Sequence, residues 1–77
     1  MENINKVRNV IDYTTFMIME FSDAHSLPVT VSFDYLKKYG GLAYLEDFYE
    51  TAHCENPIYT LEALQQVCSN NGGNIPA

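Results

Sequence analysis

The stretch VSFDYLKKYGGLAYL, residues 31–45, joins two apolar runs through the segment KKYGG. Lys37 and Lys38 suit the last turn of a helix, where cations complement the carbonyl end of the helix dipole. Gly40 stands where a left-handed residue commonly ends a helix, and Gly41 lets the chain turn into the next one. The stretch therefore predicts a helix, a glycine turn and a second helix.

Two binding motifs also combine lysine with glycine, and neither fits KKYGG. A phosphate-binding loop has its glycines before the lysine that opens a helix, whereas here the lysines come first. An RNA-binding strand alternates aromatic and basic residues within a basic domain, but this chain has ten acidic and four basic residues. The capping interpretation is therefore favoured.

The strongest helical periodicity lies before this stretch, in residues 4–25. Spacings of three and four residues predict one apolar stripe along a first helix, made of Ile4, Val7, Ile11, Thr14, Ile18, Phe21 and His25, and widened by Val10, Met17 and Ala24. Pro28 ends that helix, because proline lacks an amide hydrogen and disfavours helix at the preceding residue. A second helix opens near Pro28 and turns Val29, Phe33 and Leu36 inward.

Two further helices are predicted after the glycine turn. The third covers residues 42–53, with Leu42, Leu45, Tyr49 and Ala52 on one face. A short extended segment near residues 57–60 precedes the last helix, for which Thr60 is the expected N-cap; its apolar face consists of Leu61, Leu64, Val67 and Cys68. We expect an all-α bundle of three to four short helices over residues 1–70, followed by a flexible tail over residues 71–77.

Charge and composition oppose several classes of partner. The 77 residues carry a net charge of −6, and affinity for nucleic acid or an anionic membrane comes largely from lysine and arginine. No run of eighteen apolar residues and no signal-peptide pattern is present, which favours the cytoplasm. In that reducing compartment Cys54 and Cys68 are expected to remain thiols.

Residues capable of metal binding or catalysis are few. His25, His53, Cys54 and Cys68 lack the paired spacing of structural zinc ligands, and the adjacent His53 and Cys54 would point about 100° apart on a helix. No oxyanion element, glycine-rich phosphate loop or carboxylate pair is recognisable. We therefore expect neither enzymatic activity nor a cofactor or metal.

Several large side chains fall outside the predicted core faces. Phe16 and Met19 lie opposite the apolar stripe of the first helix, with Tyr13 nearby, and Tyr35 and Tyr44 point away from the core faces of their own helices. Either the first helix is central and covered on both sides, or these residues form an interface with a protein partner or with a second copy of the chain.

The pattern of the chain is similar to that of a family of short bacterial proteins of unknown function. The resemblance runs from about residue 14 to 66 and rests on Phe16, Glu20 and His25, on FDYLKKYGGLAYLEDFYETAH (33–53) and on IYTLEAL (58–64). Its most specific part is KKYG followed by leucine, and then Tyr49 and His53. Members often have leucine before this histidine and threonine after it, where this chain has Ala52 and Cys54.

The resemblance implies an intracellular bacterial protein without an assigned activity. Members are often encoded beside a protein that resembles ADP-ribosyltransferase toxins, which implies a toxin-neutralising or regulatory role. We therefore expect a small acidic interaction module, antitoxin-like or regulatory; the alternative is a small-molecule or metal site around Glu20, Tyr49, His53 and Cys54. The candidate binding residues are Phe16, Met19, Glu20, Tyr35, Tyr44, Tyr49 and His53.

Overall fold

Five helices make up the part of the chain that the computed structural model describes, residues 4–75. They are α1 (Ile4–His25), α2 (Val29–Lys38), α3 (Gly41–Asp47), α4 (Tyr49–Ala52) and α5 (Pro57–Asn70). No strand occurs between residues 4 and 75, so the prediction of a small all-α bundle is confirmed.

Helix α1 has the predicted bounds, and a local backbone motif ends it. The Leu27 amide donates to the Ser22 carbonyl at 2.9 Å, while Ser26 adopts a left-handed conformation with φ of +54°. This is the Schellman arrangement, in which a positive-φ residue turns the chain away from the helix axis. It directs Leu27 onto the core.

The KKYGG segment connects α2 to α3, as the capping interpretation predicts. Lys37 and Lys38 occupy the last turn of α2, and Gly40 is left-handed with φ of +86°. At Gly41 the constraint is close packing rather than a left-handed conformation. A Cβ atom on Gly41 would lie 2.7 Å from Leu36 Cδ2 and 3.2 Å from Leu36 Cβ, so a side chain at the start of α3 would force the buried Leu36 to shift.

The single helix predicted over residues 42–53 is interrupted. Phe48, with φ of −109° and ψ of 16°, separates α3 from α4. Neither glycine nor proline stands at this position to indicate a bend. After the interruption α4 runs beside α1, where the rings of Tyr49 and Tyr13 meet edge to face at 5.5 Å between centroids.

The extended segment predicted near residues 57–60 is wrong, because these residues form the first turn of α5. Asn56, rather than Thr60, is the N-cap, and its side-chain oxygen accepts a hydrogen bond from the Ile58 amide at 3.0 Å. Pro57 fits the first helical position, where its missing N–H is not needed. Thr60 is instead buried, with the Tyr13 hydroxyl 3.3 Å from its Oγ1.

The core lies where α1, α2, α3 and α5 meet. It consists of Met17, Ile18, Phe21, Tyr35, Leu36, Leu45, Leu64 and Cys68. Helix α1 is about 33 Å long, whereas the molecule measures 44 × 22 × 22 Å. The first turns of α1 are exposed and contact α4 through an ion pair, with Lys6 Nζ 2.6 Å from Glu50 Oε2. Val7, although predicted for the core stripe, is exposed. The side chain of Ile4 lies outside the described part.

Residues 71–75 continue from α5 onto the body of the domain. Gly72 is left-handed with φ of +90°, and the Gly73 amide donates to the Cys68 carbonyl at 2.8 Å. Asn71 Nδ2 donates to the Tyr39 carbonyl at 2.8 Å, and Ile75 packs against the core. Most of the segment predicted as a tail thus contacts the bundle, while residues 76 and 77 lie outside the described part.

Candidate protein-binding surface

An apolar groove follows one side of α1, where α2 and α3 approach it. It consists of two adjoining depressions of 390 and 480 Å³, which share Thr15, Ile18 and Phe33. We call it the α1 groove; its principal lining residues are Ile11, Thr15, Ile18 and Met19 of α1, Val29, Phe33 and Asp34 of α2, and Leu42, Ala43 and Glu46 of α3.

The apolar residues of the α1 groove are substantially exposed. Ile11 is 58% exposed, Met19 52%, Val29 48% and Phe33 41%. They come from two helices and line two adjoining depressions rather than being scattered singly. A contiguous exposed apolar patch on a small domain is typical of a binding surface.

Exposure of Ile11, Val29 and Phe33 corrects the prediction that these residues are core. Helix α2 packs through Ser32, Tyr35 and Leu36, so its contact face is rotated away from Val29 and Phe33. On α1 the buried face centres on Met17 and Phe21, which leaves Ile11 on the flank. Hydrophobic periodicity identifies residues that share a face, but it does not tell whether a neighbouring helix covers them.

Phe16 and Met19 both lie on the surface. Met19 lines the α1 groove, and Phe16 stands one turn before it with 44% of its surface exposed. The structure therefore removes the alternative in which α1 is covered on both sides. The prediction that these two residues contact a partner remains to be tested.

Tyr35 and Tyr44 do not point outward as predicted. Tyr35 is only 6% exposed and stacks on Phe21 at 5.8 Å between ring centroids, because the face of α2 that contains it is the contact face. Burial raises the pKa of the Tyr35 hydroxyl above its ordinary value. Tyr44 is half-buried against the core, with its ring 4.8 Å from that of Phe48.

Tyr49 and His53 form an aromatic cluster with Tyr13. Their two rings stack with centroids 4.3 Å apart and planes within 8°. His53 Nδ1 lies 2.6 Å from the Tyr49 carbonyl oxygen, which requires Nδ1 to bear the hydrogen and donate. The half-buried Tyr13 completes the cluster, and its burial raises the pKa of its hydroxyl.

The residues proposed for an alternative small-molecule or metal site are only partly brought together. Cys54 Sγ lies 3.7 Å from His53 Nε2, and both side chains are exposed. Glu20, in contrast, lies seven residues after Tyr13, about 10 Å further along α1. Within residues 4–75, no group of three or more His, Cys, Asp or Glu side chains could hold a metal ion.

One protein family matches most of the chain, including nearly all of the residues described above. Residues 12–71 match the family described as "Protein of unknown function (DUF3791)". The chain belongs to this family. Comparison with curated proteins and with solved structures gives no match.

The DUF3791 region includes most of the α1 groove and all of the aromatic cluster. It begins at Asp12, so the first two turns of α1, with Val7 and Ile11, precede it. Phe33, Leu42 and Met19, which line the groove, fall within it. In the described part of the chain no helix is both long and apolar enough to cross a bilayer.

Two acidic residues and one lysine set the charge of the α1 groove. Asp34 lines the depression beside α2, and Glu46 lines the one beside α3. Lys37 lies one turn after Phe33, with Nζ 6.0 Å from the ring centroid of Phe33. The groove thus combines an apolar floor with a mainly acidic border.

Proposed function

We propose that this chain is a small acidic protein-interaction module, antitoxin-like or regulatory, whose partner is the product of a neighbouring gene. The observation that carries the proposal is the exposed apolar α1 groove. A domain of 77 residues buries only about 60% of the surface that its unfolded chain exposes, so each apolar side chain left outside the core weakens it. A partner that covers Ile11, Met19 and Phe33 would recover that burial.

Charge supports a protein as the partner. A net charge of −6 disfavours nucleic acid and anionic membranes, but it complements a basic surface on another protein. The binding cleft of an ADP-ribosylating enzyme must accept a negatively charged dinucleotide, and an acidic module could cover such a cleft. The resemblance described from the sequence implies a neighbouring protein of that type, and a cytoplasmic location agrees with it.

A small-molecule site around the aromatic cluster is the alternative and has less support. Tyr49 and His53 stack on each other, which satisfies both rings without a ligand. Glu20 is too far along α1 to act with them. A thermal-shift screen of metabolites and metal ions tests this alternative, and a ligand whose stabilising effect is lost in His53→Ala would favour it over the interaction module.

Co-expression with the neighbouring gene product tests the proposal directly. We expect the two proteins to elute together in size-exclusion chromatography at about 10 µM, where a complex of micromolar or tighter affinity is populated. If the role is antitoxin-like, we also expect excess chain to lower the ADP-ribosylation rate of that product. Separate elution at this concentration would contradict the proposal.

Two double variants test whether the complex forms through the exposed residues Phe16 and Met19 of α1. Phe16→Ser with Met19→Ser is expected to weaken the complex at least about tenfold, because exposed apolar anchors contribute most of the binding free energy at an interface. Ile58→Ser with Tyr59→Ser is the matched control, since these two large side chains are also exposed but belong to α5. Circular dichroism verifies that both variants remain folded.

A further inference from the structure

We propose that the α1 groove binds one amphipathic helix of the partner, and that lysine or arginine residues flank the apolar stripe of that helix. This inference rests on the proposed function and adds the chemistry of the recognised element. It follows from the shape of the groove, from its apolar floor and from the positions of its acidic residues.

The length of the groove suits about two turns of a bound helix. Ile11 and Met19 are eight residues apart, about 12 Å along α1, which corresponds to little more than two helical turns. The floor between them is formed by Thr15, Ile18 and Phe33, which both depressions share. Residues spaced by three and four on a bound helix would place two or three side chains in such a trough, as in other helix-in-groove complexes.

The border of the groove determines the charge of the bound helix. Asp34 and Glu46 line the α2 and α3 side of the groove. Of the cations nearby, Lys37 stands beside the middle of the groove, with Nζ 6.0 Å from the ring centroid of Phe33, and Arg8 lies about one turn before Ile11. A helix lying in the trough would therefore meet two carboxylates along the α2 and α3 side, and lysine or arginine at that flank would pair with them.

The same charges argue against a second copy of the chain as the occupant. Two copies would bring together two domains of net charge −6, with acidic borders on both grooves. Like charges across an interface oppose association. A basic helix would instead be attracted by the acidic residues of the groove, and it would cover the same apolar residues.

Fluorescence anisotropy with two designed peptides tests the inference. The first peptide has about 18 residues, with leucine at helical spacing and lysine at the flanking positions; the second has glutamate in place of every lysine. We expect the lysine peptide to bind with a Kd in the micromolar range and the glutamate peptide to bind at least about tenfold more weakly. Equal binding of the two peptides would overturn the inference.

Charge variants locate the binding to the groove. Asp34→Asn with Glu46→Gln should weaken the lysine peptide about tenfold at low salt and less at high salt. Glu55→Gln with Glu62→Gln removes the same charge from α5 and the loop before it, and should change affinity less than about twofold. Equal losses in the two variants would mean that net charge alone attracts the peptide, which overturns the inference.

Apolar variants and the oligomeric state complete the test. Ile11→Ser with Met19→Ser should abolish peptide binding, whereas Ile58→Ser should leave it unchanged; both sites are exposed, so the fold is expected to survive. Sedimentation that reveals a dimer dissociated by Ile11→Ser with Met19→Ser would identify a second copy as the occupant and overturn the inference.

The natural complex separates this inference from the proposed function. If the neighbouring gene product binds the chain, and Asp34→Asn with Glu46→Gln binds it equally well, the inference fails and the proposed function stands. If that product does not bind at all, the proposed function fails, and the peptide measurements alone decide whether the groove takes a basic helix.

Discussion

At the scale of single residues, two buried serines differ in whether the hydroxyl has a hydrogen-bond partner. Ser32 on α2 is fully buried, and its Oγ has no hydrogen-bond partner in the described part of the chain. Leaving a buried hydroxyl unpaired costs about 1–3 kcal/mol. We therefore expect Ser32→Ala to raise the free energy of unfolding by about 1 kcal/mol, measured by urea denaturation.

Ser22 on α1 is the matched control. It is also buried and helical, but its Oγ donates to the Ile18 carbonyl at 3.0 Å. Ser22→Ala gains the same helix propensity while losing a hydrogen bond of about 1 kcal/mol, so the two effects nearly cancel or the variant is slightly destabilised. An equal gain in both variants would show that the Ser32 hydroxyl carries no penalty.

At the scale of helices, the end of α1 holds a residue poorly suited to its conformation. Ser26 has φ of +54°, which costs a non-glycine residue about 1 kcal/mol or more. Glycine is the usual residue at this position of a Schellman motif. We expect Ser26→Gly to stabilise the domain by up to about 1 kcal/mol, seen as a higher melting temperature.

A serine-to-glycine substitution inside a helix should destabilise the domain instead of stabilising it. Ser69 is an exposed residue of α5 with helical geometry, and Ser69→Gly should lower the free energy of unfolding by about 0.5 kcal/mol. Destabilisation by both glycines would mean that Ser26 is not held in the left-handed conformation in solution.

Helix ends account for most of the difference between sequence and structure. The bounds of α1 follow from its long periodicity and from Pro28, and Gly40 indicates the turn after α2. The sequence predicts the start of α5 four residues late, because both Asn56 and Thr60 are good N-caps and only Pro57 at the first helical position favours the earlier one. The break at Phe48 has no sequence signal, since neither glycine nor proline causes it.

The candidate site could be predicted only in part. Phe16 and Met19 were recognised as possible surface residues because they lie opposite the apolar stripe. Val29 and Phe33 were not, since an apolar face that lines an open groove has the same spacing as one that is covered. Tyr35 was assigned to the wrong side because the rotation of α2 about its own axis depends on how α1 and α3 pack against it.

At the scale of the whole molecule, the burial of two tyrosine hydroxyls and one thiol makes the stability of the fold depend on pH in the alkaline range. Burial raises the pKa of Tyr13 and Tyr35 above 10.0, and that of Cys68 above 9.0. A group whose pKa is higher in the folded state stabilises the fold fully below its unfolded pKa and loses this contribution as pH rises through the folded value. We expect a constant melting temperature near neutral pH and a decline that begins above about pH 9.

Tyrosine variants separate this effect from general alkaline damage. Tyr35→Phe removes one of the buried ionisable groups and should make the decline above pH 10 shallower. Tyr59→Phe removes the same atoms from an exposed tyrosine and serves as the control. Identical slopes for Tyr35→Phe and the original chain would contradict the assignment of alkaline sensitivity to the buried phenols.

The exposed first turns of α1 and its buried middle are expected to open independently. Residues 5–9 are all exposed, whereas Met17 and Phe21 are fully buried. Amide hydrogens in the first turns can therefore exchange with deuterium through fraying of the helix end, while those near Met17 exchange only when the whole domain unfolds. A helix bound in the groove would clamp the turn at Ile11, so slower deuterium uptake there would report an occupied groove without any label on the partner.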